Sequence, residues 1–497
     1  MRVLIFHGYL LRGTGSNVYN ARLAQALARL GHEVHLLCQD RSADQLGWVG
    51  GSGPGSVTVH VPDIGGVLPV YVADRYEGFE VKTFPELSDE ELGRYLDFNV
   101  RAVRSVVEQT GEPDAALANH LIMGPVILAR AGLRFATKVH GSDLSYTVRP
   151  HPDRFVPYAR EGADAASALL VGSRHTAEDL WETVGDPGLP DRTRLGPPGV
   201  DTHEFRARPE PEALGLVRAL AGRIDGETPD ASFGRDGPAA AAALRKWADG
   251  DPRVLFVGKL LVNKGVDLLV AAWPLVVREH PGARLLIAGF GAFREGVEAL
   301  IAALGRADMD AVREVVARGR AWEAEDGAGG PSLSILAAFL EDPPPGYAEA
   351  ARAAAGSIAV SGRLEHSEVA EVLPAARAFV MPSTFPEAFG MVAAEAASCG
   401  VPPVSAGHSG MREVSSELAA VVPAHADLLS FEAAPGAAQA IAARVNGWLD
   451  LGAPERERVG EALAARVREL WSWERVAEGV LAASRGELDG LPRVPGD

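Results

Sequence analysis

Short apolar runs alternate along this chain with helical stripes of apolar and polar positions. Val3 to Phe6 is such a run, and a glycine-rich turn follows it. Tyr19, Leu23, Leu27 and Leu30 then recur at near-helical spacing, Gly31 supplies a stop, and Glu33 to Leu37 predicts a second strand. Ala115 to Ala118, Phe135 to Val139 and Ala168 to Val171 are further buried-strand candidates. Strands that are apolar throughout and alternate with helices predict a parallel sheet covered on both faces. The rhythm restarts after residue 250. Strands are expected at Arg253 to Val257, Arg284 to Ala288, Ile358 to Val360, Phe379 to Met381 and Val401 to Val404, and Val266, Leu269, Val270 and Trp273 mark one helix face. The expected fold is therefore α/β, with two Rossmann-like, doubly wound domains facing across a cleft. Ligands gather at the carboxyl ends of such strands.

Two segments interrupt the pattern. Residues from about 207 to 250 hold a Gly/Asp/Pro stretch and an alanine-rich run, and residues from about 303 to 355 are Ala/Glu-rich with GAGGP and PPPG; both predict inserted helices and loops. The expected organisation is a first domain over 1–200, a linker and insertion over 201–250, and a second domain over 251–455. A final helical segment over 456–497 is expected to cross back toward the first.

Composition narrows the function. The 497 residues are 47% hydrophobic and 23% charged, which is globular, and 48 basic against 66 acidic side chains give a net charge of −18. That sign disfavours a general nucleic-acid or anionic-membrane binder. Any membrane contact is expected to be peripheral, because no apolar run reaches spanning length and the first residues do not read as a signal peptide. Cys38 and Cys399 sit in apolar surroundings and predict buried, inert thiols, as suits a reducing cytoplasm.

The richest segment is PSTFPEAFGMVAAEAASCGVP, where Glu387 and Glu395 lie eight positions apart. On one helix they would be about 12 Å apart along its axis. They would then hold two ends of an extended ligand, such as a transferred sugar and a ribose across a diphosphate, each carboxylate accepting from two hydroxyls. The alternative is a solvated Glu387 and an ordinary helix-face Glu395. GKLLVNKGVD places Lys259 and Lys264 at a strand's carboxyl end beside a helix start, a site for a diphosphate; two surface lysines are the plainer reading. In GTGSN, Gly13 and Gly15 would let backbone approach a phosphate or a sugar at another helix start. His140 ends the strand in FATKVHGSD, placed to bond a ligand hydroxyl or to cap a turn. Asp308-Met309-Asp310 lies in a charged helical stretch and reads as a solvated face, not a metal motif.

Taken in order, GTGSNVYNARLAQALARLGHEVHLL, HGSD, VGSRHTAEDL, GPPGVDTHEF, VGKLLVNKG, VSGRLEHSEVAEVLPAARAFVMPS and PEAFGMVAAEAASCG resemble the family 4 retaining glycosyltransferases of GT-B fold. The resemblance covers most of the chain outside the two insertions. It implies a cytoplasmic enzyme that moves a sugar from a nucleoside-diphosphate sugar to a small-molecule, glycan or lipid hydroxyl, with no cofactor and no metal ion. It also implies roles: Glu395 on the ribose, Glu387 on the donor sugar with amides near Phe389, Gly390 and Met391, and Lys259 and Lys264 on the departing diphosphate. His140 would meet the sugar ring, Gly15 the donor phosphates, and backbone at Arg363 and Leu364 the base. The family usually has arginine where Lys259 stands, so a bidentate fork is replaced by a point charge. GSNVY resembles the subgroup that includes sucrose-phosphate synthases and the mycothiol-pathway glycosyltransferases. A sugar-nucleotide epimerase of the same fold, a non-catalytic nucleotide-sugar binder and an NAD-dependent oxidoreductase are the rival readings. The last lacks a G-x-G-x-x-G turn after Val3 to Phe6.

Overall fold

A computed structural model of the chain describes residues 1–12, 15–50, 53–71, 79–227, 235–324 and 330–495. It divides into two units, Met1–Gly199 with Trp471–Asp497, and Val200–Leu470.

The first unit contains β1 (Arg2–Phe6), β2 (Glu33–Leu37), β3 (Ser56–His60), β4 (Val67–Val70), β5 (Glu80–Thr83), β6 (Ala115–Asn119), β7 (Ala136–Lys138), β8 (Leu169–Val171) and β9 (Thr193–Leu195). Seven of these form a parallel sheet in the order β3-β2-β1-β6-β7-β8-β9, and β4 pairs separately with β5. Successive side chains of a strand point to opposite faces, so β1 divides its apolar residues between two cores. Val3 and Ile5 pack with Leu23, Leu27, Trp473 and Val480. Leu4 and Phe6 pack with Val100, Val103, Ile127 and Phe155 on the other side. A sheet covered on both faces is what uniformly apolar strands require.

The first of these cores is closed by the helix Trp473–Ser484, whose Trp473 ring meets Tyr19 edge-on at 5.4 Å. The final segment expected over 456–497 is two helices. Ala453–Trp471 lies almost wholly in the second unit, and residues from Trp471 onward complete the first. Gly199, in the segment leading out of the first unit, has no room for a side chain, since a Cβ there would stand 2.6 Å from the Trp473 ring.

The second unit contains β10 (Arg253–Val257), β11 (Arg284–Ala288), β12 (Ile358–Gly362), β13 (Ala378–Met381), β14 (Pro403–Ala406) and β15 (Ser430–Phe431), all parallel in the order β12-β11-β10-β13-β14-β15. The helix Val266–Glu279, expected to be apolar on one face, is buried all round from Val266 to Val277. The stretch expected as a linker, 201–250, belongs to this unit. Its helices Glu210–Ile224 and Gly237–Ala248 are tied to the sheet by Trp247 Nε1, which donates to Val254 O at 3.0 Å, and by Glu210, which pairs with the buried Arg253 guanidinium. The second interruption folds as helices Met309–Arg318, Ser334–Glu341 and Tyr347–Ala353, with Tyr347 Oη bonded to Ala271 O at 2.8 Å. Asp308 caps the first of these through Ala311 N, and Asp310 pairs with Arg313 at 3.0 Å.

Candidate functional site

In each sheet the strand order reverses once, between β1 and β6 and between β10 and β13. Loops leaving two such strands diverge, and the gap they leave at the carboxyl edge is where ligands settle in open α/β sheets. The residues singled out from the sequence, Gly13 apart, collect at or near these two edges.

In the second unit the loop after β10 carries Lys259 and Lys264. Gly258 N bonds Ala288 O, and the turn Val262–Lys264 delivers the chain to Gly265, which adopts φ +65°. Glycine is required at 265 on two counts, because a Cβ would also lie 1.9 Å from Pro382 O. That contact fixes the β10 loop against the β13 loop. Lys264 Nζ in consequence pairs with Glu387 Oε1, the same oxygen that accepts from Ser383 Oγ at 2.8 Å. The two side chains are 27% and 22% exposed. Lys259 is exposed. The family resemblance assigns Lys264 and Glu387 to different parts of a ligand; in the structure the two side chains pair with each other.

Glu387 is held by its backbone as well. Its N–H donates to Ser409 Oγ at 2.9 Å, its carbonyl accepts from Gly410 N, and Ser409 itself has φ +50°. His408 bonds Ser409 Oγ and Ser383 O, closing the ring around the carboxylate's loop. None of Ser383, His408 and Ser409 was singled out from the sequence; the HSG that follows β14 was the available signal.

The helix after β13 runs Met391–Ser398, and Glu387 lies ahead of it. The two glutamates therefore do not share a helix. Gly390, at φ +123°, turns the chain into that helix, so the amides of Met391 and Val392 lie in its first turn, where N–H groups lack partners within the helix. Glu395 is buried at 3% exposure, and one of its oxygens accepts from His366 Nε2 at 2.8 Å. The His366 ring packs on Phe205. A buried carboxylate bonded through one oxygen has acceptor capacity left for further donors. His366 was missed, although it stands in RLEH beside Arg363 and Leu364. Leu364 is buried, and Arg363 pairs with Glu365 and lies over the Phe290 ring at 5.7 Å. Glu323, from the second inserted stretch, accepts from Val262 N at 2.8 Å and so braces the lysine loop.

In the first unit Gly15 begins the helix Gly15–Arg29, and a Cβ there would meet nothing within 4 Å, so open space and not crowding surrounds this glycine. Gly13 lies outside the described residues. His140 follows β7, half-buried, with Nε2 3.0 Å from Asn119 Oδ1. Around it lie His7 and His120, each 1% exposed, with Lys138 and Asp143 equally enclosed. Burial lowers the pKa of His7 and of His120 to about 3, places that of His140 well below the ordinary histidine value, and brings Lys138 down to about 7. These histidines are neutral at physiological pH. Cys38 and Cys399 are free and buried, and burial pushes the Cys38 thiol up to about 12. Among the described residues no group of three or more His, Cys, Asp or Glu side chains has the placement to hold a metal ion, and no helix is long and apolar enough to cross a membrane.

Two parallel, doubly wound sheets with ligand-facing loops at their switch points define the GT-B fold class. Solved glycosyltransferases share it. A glycosyltransferase from Rickettsia africae matches with a TM-score of 0.60 at 14% identity, covering 98% of this chain and 99% of that one. A sucrose-phosphate synthase from Thermosynechococcus elongatus matches with 0.54 at 19% identity, covering 96% of each. Family models agree along the chain: Glycosyltransferase Family 4 over residues 13–204, and Glycosyl transferases group 1 over 251–321 and 349–466. The chain belongs to the group 1 glycosyltransferases of family 4 type. A D-inositol 3-phosphate glycosyltransferase from Segniliparus rotundus is 31% identical over 348 residues, which is 67% of this chain and 64% of that protein. A glycogen synthase from Mycobacterium tuberculosis is 29% identical over 51% of this chain and 48% of its own length. The chain thus spans about half to just under two thirds of the length of these curated relatives.

Proposed function

We propose that this protein is a retaining glycosyltransferase that moves a sugar, with a hexose favoured, from a nucleoside-diphosphate sugar to a hydroxyl acceptor. The observation that carries the reading is the pairing of Lys264 with Glu387 beside the first turn of the helix Met391–Ser398. A cation, a carboxylate and a helix start in one place match a diphosphate next to a polyhydroxylated ring.

In this reading Glu395 takes the ribose hydroxyls and backbone at Arg363 and Leu364 meets the base. Glu387 and the amides of Phe389, Gly390 and Met391 take the sugar. Lys264 leaves Glu387 for the diphosphate, joined by Lys259, and Gly13 and Gly15 approach the donor phosphates. His140 keeps the sugar contact that the family resemblance implies. The glycosidic C–O bond to the diphosphate breaks as the acceptor oxygen forms its bond on the same face. The departing phosphate oxygen takes the acceptor's proton, and the two ammonium groups stabilise the charge that develops. The reading uses no metal ion and no cofactor, and its setting is the cytoplasm, with membrane contact peripheral at most and no nucleic-acid partner. Related proteins carry names that point to inositol phosphate and glucan acceptors, and one structural relative from Anabaena was solved with UDP-glucose. These names support the class of donor and acceptor.

The test is a panel of nucleotide-sugars screened for thermal stabilisation and slow hydrolysis. A matching donor raises the melting temperature, and Glu387→Ala abolishes its hydrolysis while nucleoside-diphosphate binding persists. If no nucleoside diphosphate stabilises the protein at saturation, the donor assignment is wrong. Turnover without an acceptor to a rearranged nucleotide-sugar would instead support the epimerase.

A further inference from the structure

A row of polar side chains in the first unit runs from the protein interior to His140. Asn17 and Asn20 lie on the helix Gly15–Arg29, His7 follows β1, Asn119 ends β6 and His140 follows β7. All but His140 are at most 2% exposed.

The direction of every hydrogen bond in this row is set by backbone carbonyls, which only accept. Leu10 O lies 2.9 Å from His7 Nε2, so that nitrogen carries the proton. Arg12 O accepts from Asn17 Nδ2 at 2.7 Å, leaving Asn17 Oδ1 as a second acceptor for His7 Nε2 at 3.0 Å. The neutral His7 ring thus has a bare Nδ1. Ser16 O accepts from Asn20 Nδ2 at 2.8 Å, so the same amide nitrogen donates to His7 Nδ1 at 3.0 Å. Asn20 Oδ1 must then accept, and it does so from Asn119 Nδ2. Asn119 is left with Oδ1 facing His140 Nε2 at 3.0 Å, where a donor is required.

We propose that His7, Asn20 and Asn119 are positioning residues that hold His140 as the neutral Nε2–H tautomer, so that its Nδ1 is an acceptor reserved for a hydroxyl of the ligand. The inference rests on the reading of His140 as a sugar contact. The surroundings agree with a neutral ring. His120 lies 4.8 Å away between ring centroids, Tyr19 packs edge-on at 5.2 Å, and Lys138 donates to Gly196 O and lies over the Tyr19 ring. The Asp143 carboxylate accepts from the amides of Leu121, Gly141 and Leu144, so it is already engaged. A ligand carboxylate or phosphate oxygen at Nδ1 would set lone pair against lone pair. A neutral hydroxyl donates without cost.

The measurement is the long-range proton–nitrogen spectrum of the full chain labelled in its histidine rings, with His140 assigned by its loss in His140→Gln. The expected result is a protonated Nε2 and an unprotonated Nδ1, unchanged between about pH 6 and 8. A proton on Nδ1, or a charged ring near neutrality, overturns the proposal and requires no folded variant beyond the assignment. Asn119→Leu is expected to release the single tautomer and slow donor hydrolysis on the order of tenfold, with the thermal shift given by UDP or GDP retained. Asn119→Asp, which sets a carboxylate against Nε2–H, is expected to raise the ring's pKa and give hydrolysis a pH dependence near neutrality that the parent lacks. An unaltered ring spectrum and unaltered turnover in Asn119→Leu would remove the positioning role. Failure of the donor reading shows differently, as no nucleoside diphosphate raising the melting temperature whatever the ring spectrum.

Discussion

His366 and Glu395 show how a buried carboxylate is kept usable. Glu395 is enclosed, yet one hydrogen bond from an imidazole that is partly open to solvent leaves its other acceptor sites for a ligand. His366→Ala removes that support without removing the carboxylate. Nucleoside-diphosphate affinity, measured by titration calorimetry, is expected to fall by roughly tenfold or more, about the 1.5–3 kcal/mol of a charge-assisted bond. Glu395→Gln is expected to weaken it further. Acid sensitivity is also a matter of single residues. His7, His120 and His140 remain neutral in the folded first unit, whereas the unfolded chain takes up protons near the ordinary histidine value of 6.5. As pH falls from 6.5 toward 3, each fully buried histidine therefore costs up to about 1.4 kcal/mol per pH unit. His140, the most open, contributes least. Asp143, whose pKa burial raises, works in the opposite direction but is one group against three. The melting temperature of this unit is expected to drop between about pH 6.5 and 5. A flat profile would mean the histidines are charged in the folded state.

At the scale of elements, the contact of Gly265 with Pro382 O joins two loops that come from different strands. Gly265→Ala forces either a left-handed alanine or a shift of the β13 loop, and that loop carries Ser383 and Glu387. The expected cost is about 3 kcal/mol or more, seen as a lower melting temperature together with a weaker response to nucleoside diphosphate. The strands of both sheet centres were legible from the sequence because their residues are apolar on both faces. Arg253 to Val257, Arg284 to Ala288 and Glu33 to Leu37 match the structure at both ends. Of the four edge strands of these two sheets only β12, expected at Ile358 to Val360, was legible. Ser56–His60 alternates with polar residues, Thr193–Leu195 is three residues long, and Ser430–Phe431 is shorter still. Charged candidates at strand ends were readable for the same reason as the centres, since a strand's end can be counted. Their partners were not: Lys264 meets Glu387 across 123 positions, and nothing local in either segment signals the other.

For the whole molecule, the two units give separate cores, and unfolding need not be a single event. Calorimetry is expected to show two transitions, with the matching nucleoside diphosphate raising the one that belongs to Val200–Leu470, where Lys264, Glu387 and Glu395 lie. A chain cut after Leu470 loses the helix Trp473–Ser484 and bares the Val3, Ile5 and Tyr19 face. Its first transition is expected to vanish or to give way to aggregation while the second persists. The same closure has a consequence for biosynthesis. In chain order the second unit interrupts the first, because the helix Trp473–Ser484, made after Val200–Leu470, covers a core laid down before it. The opening half must wait, incompletely covered, while the later half matures, reversing the usual order in which the leading domain folds first.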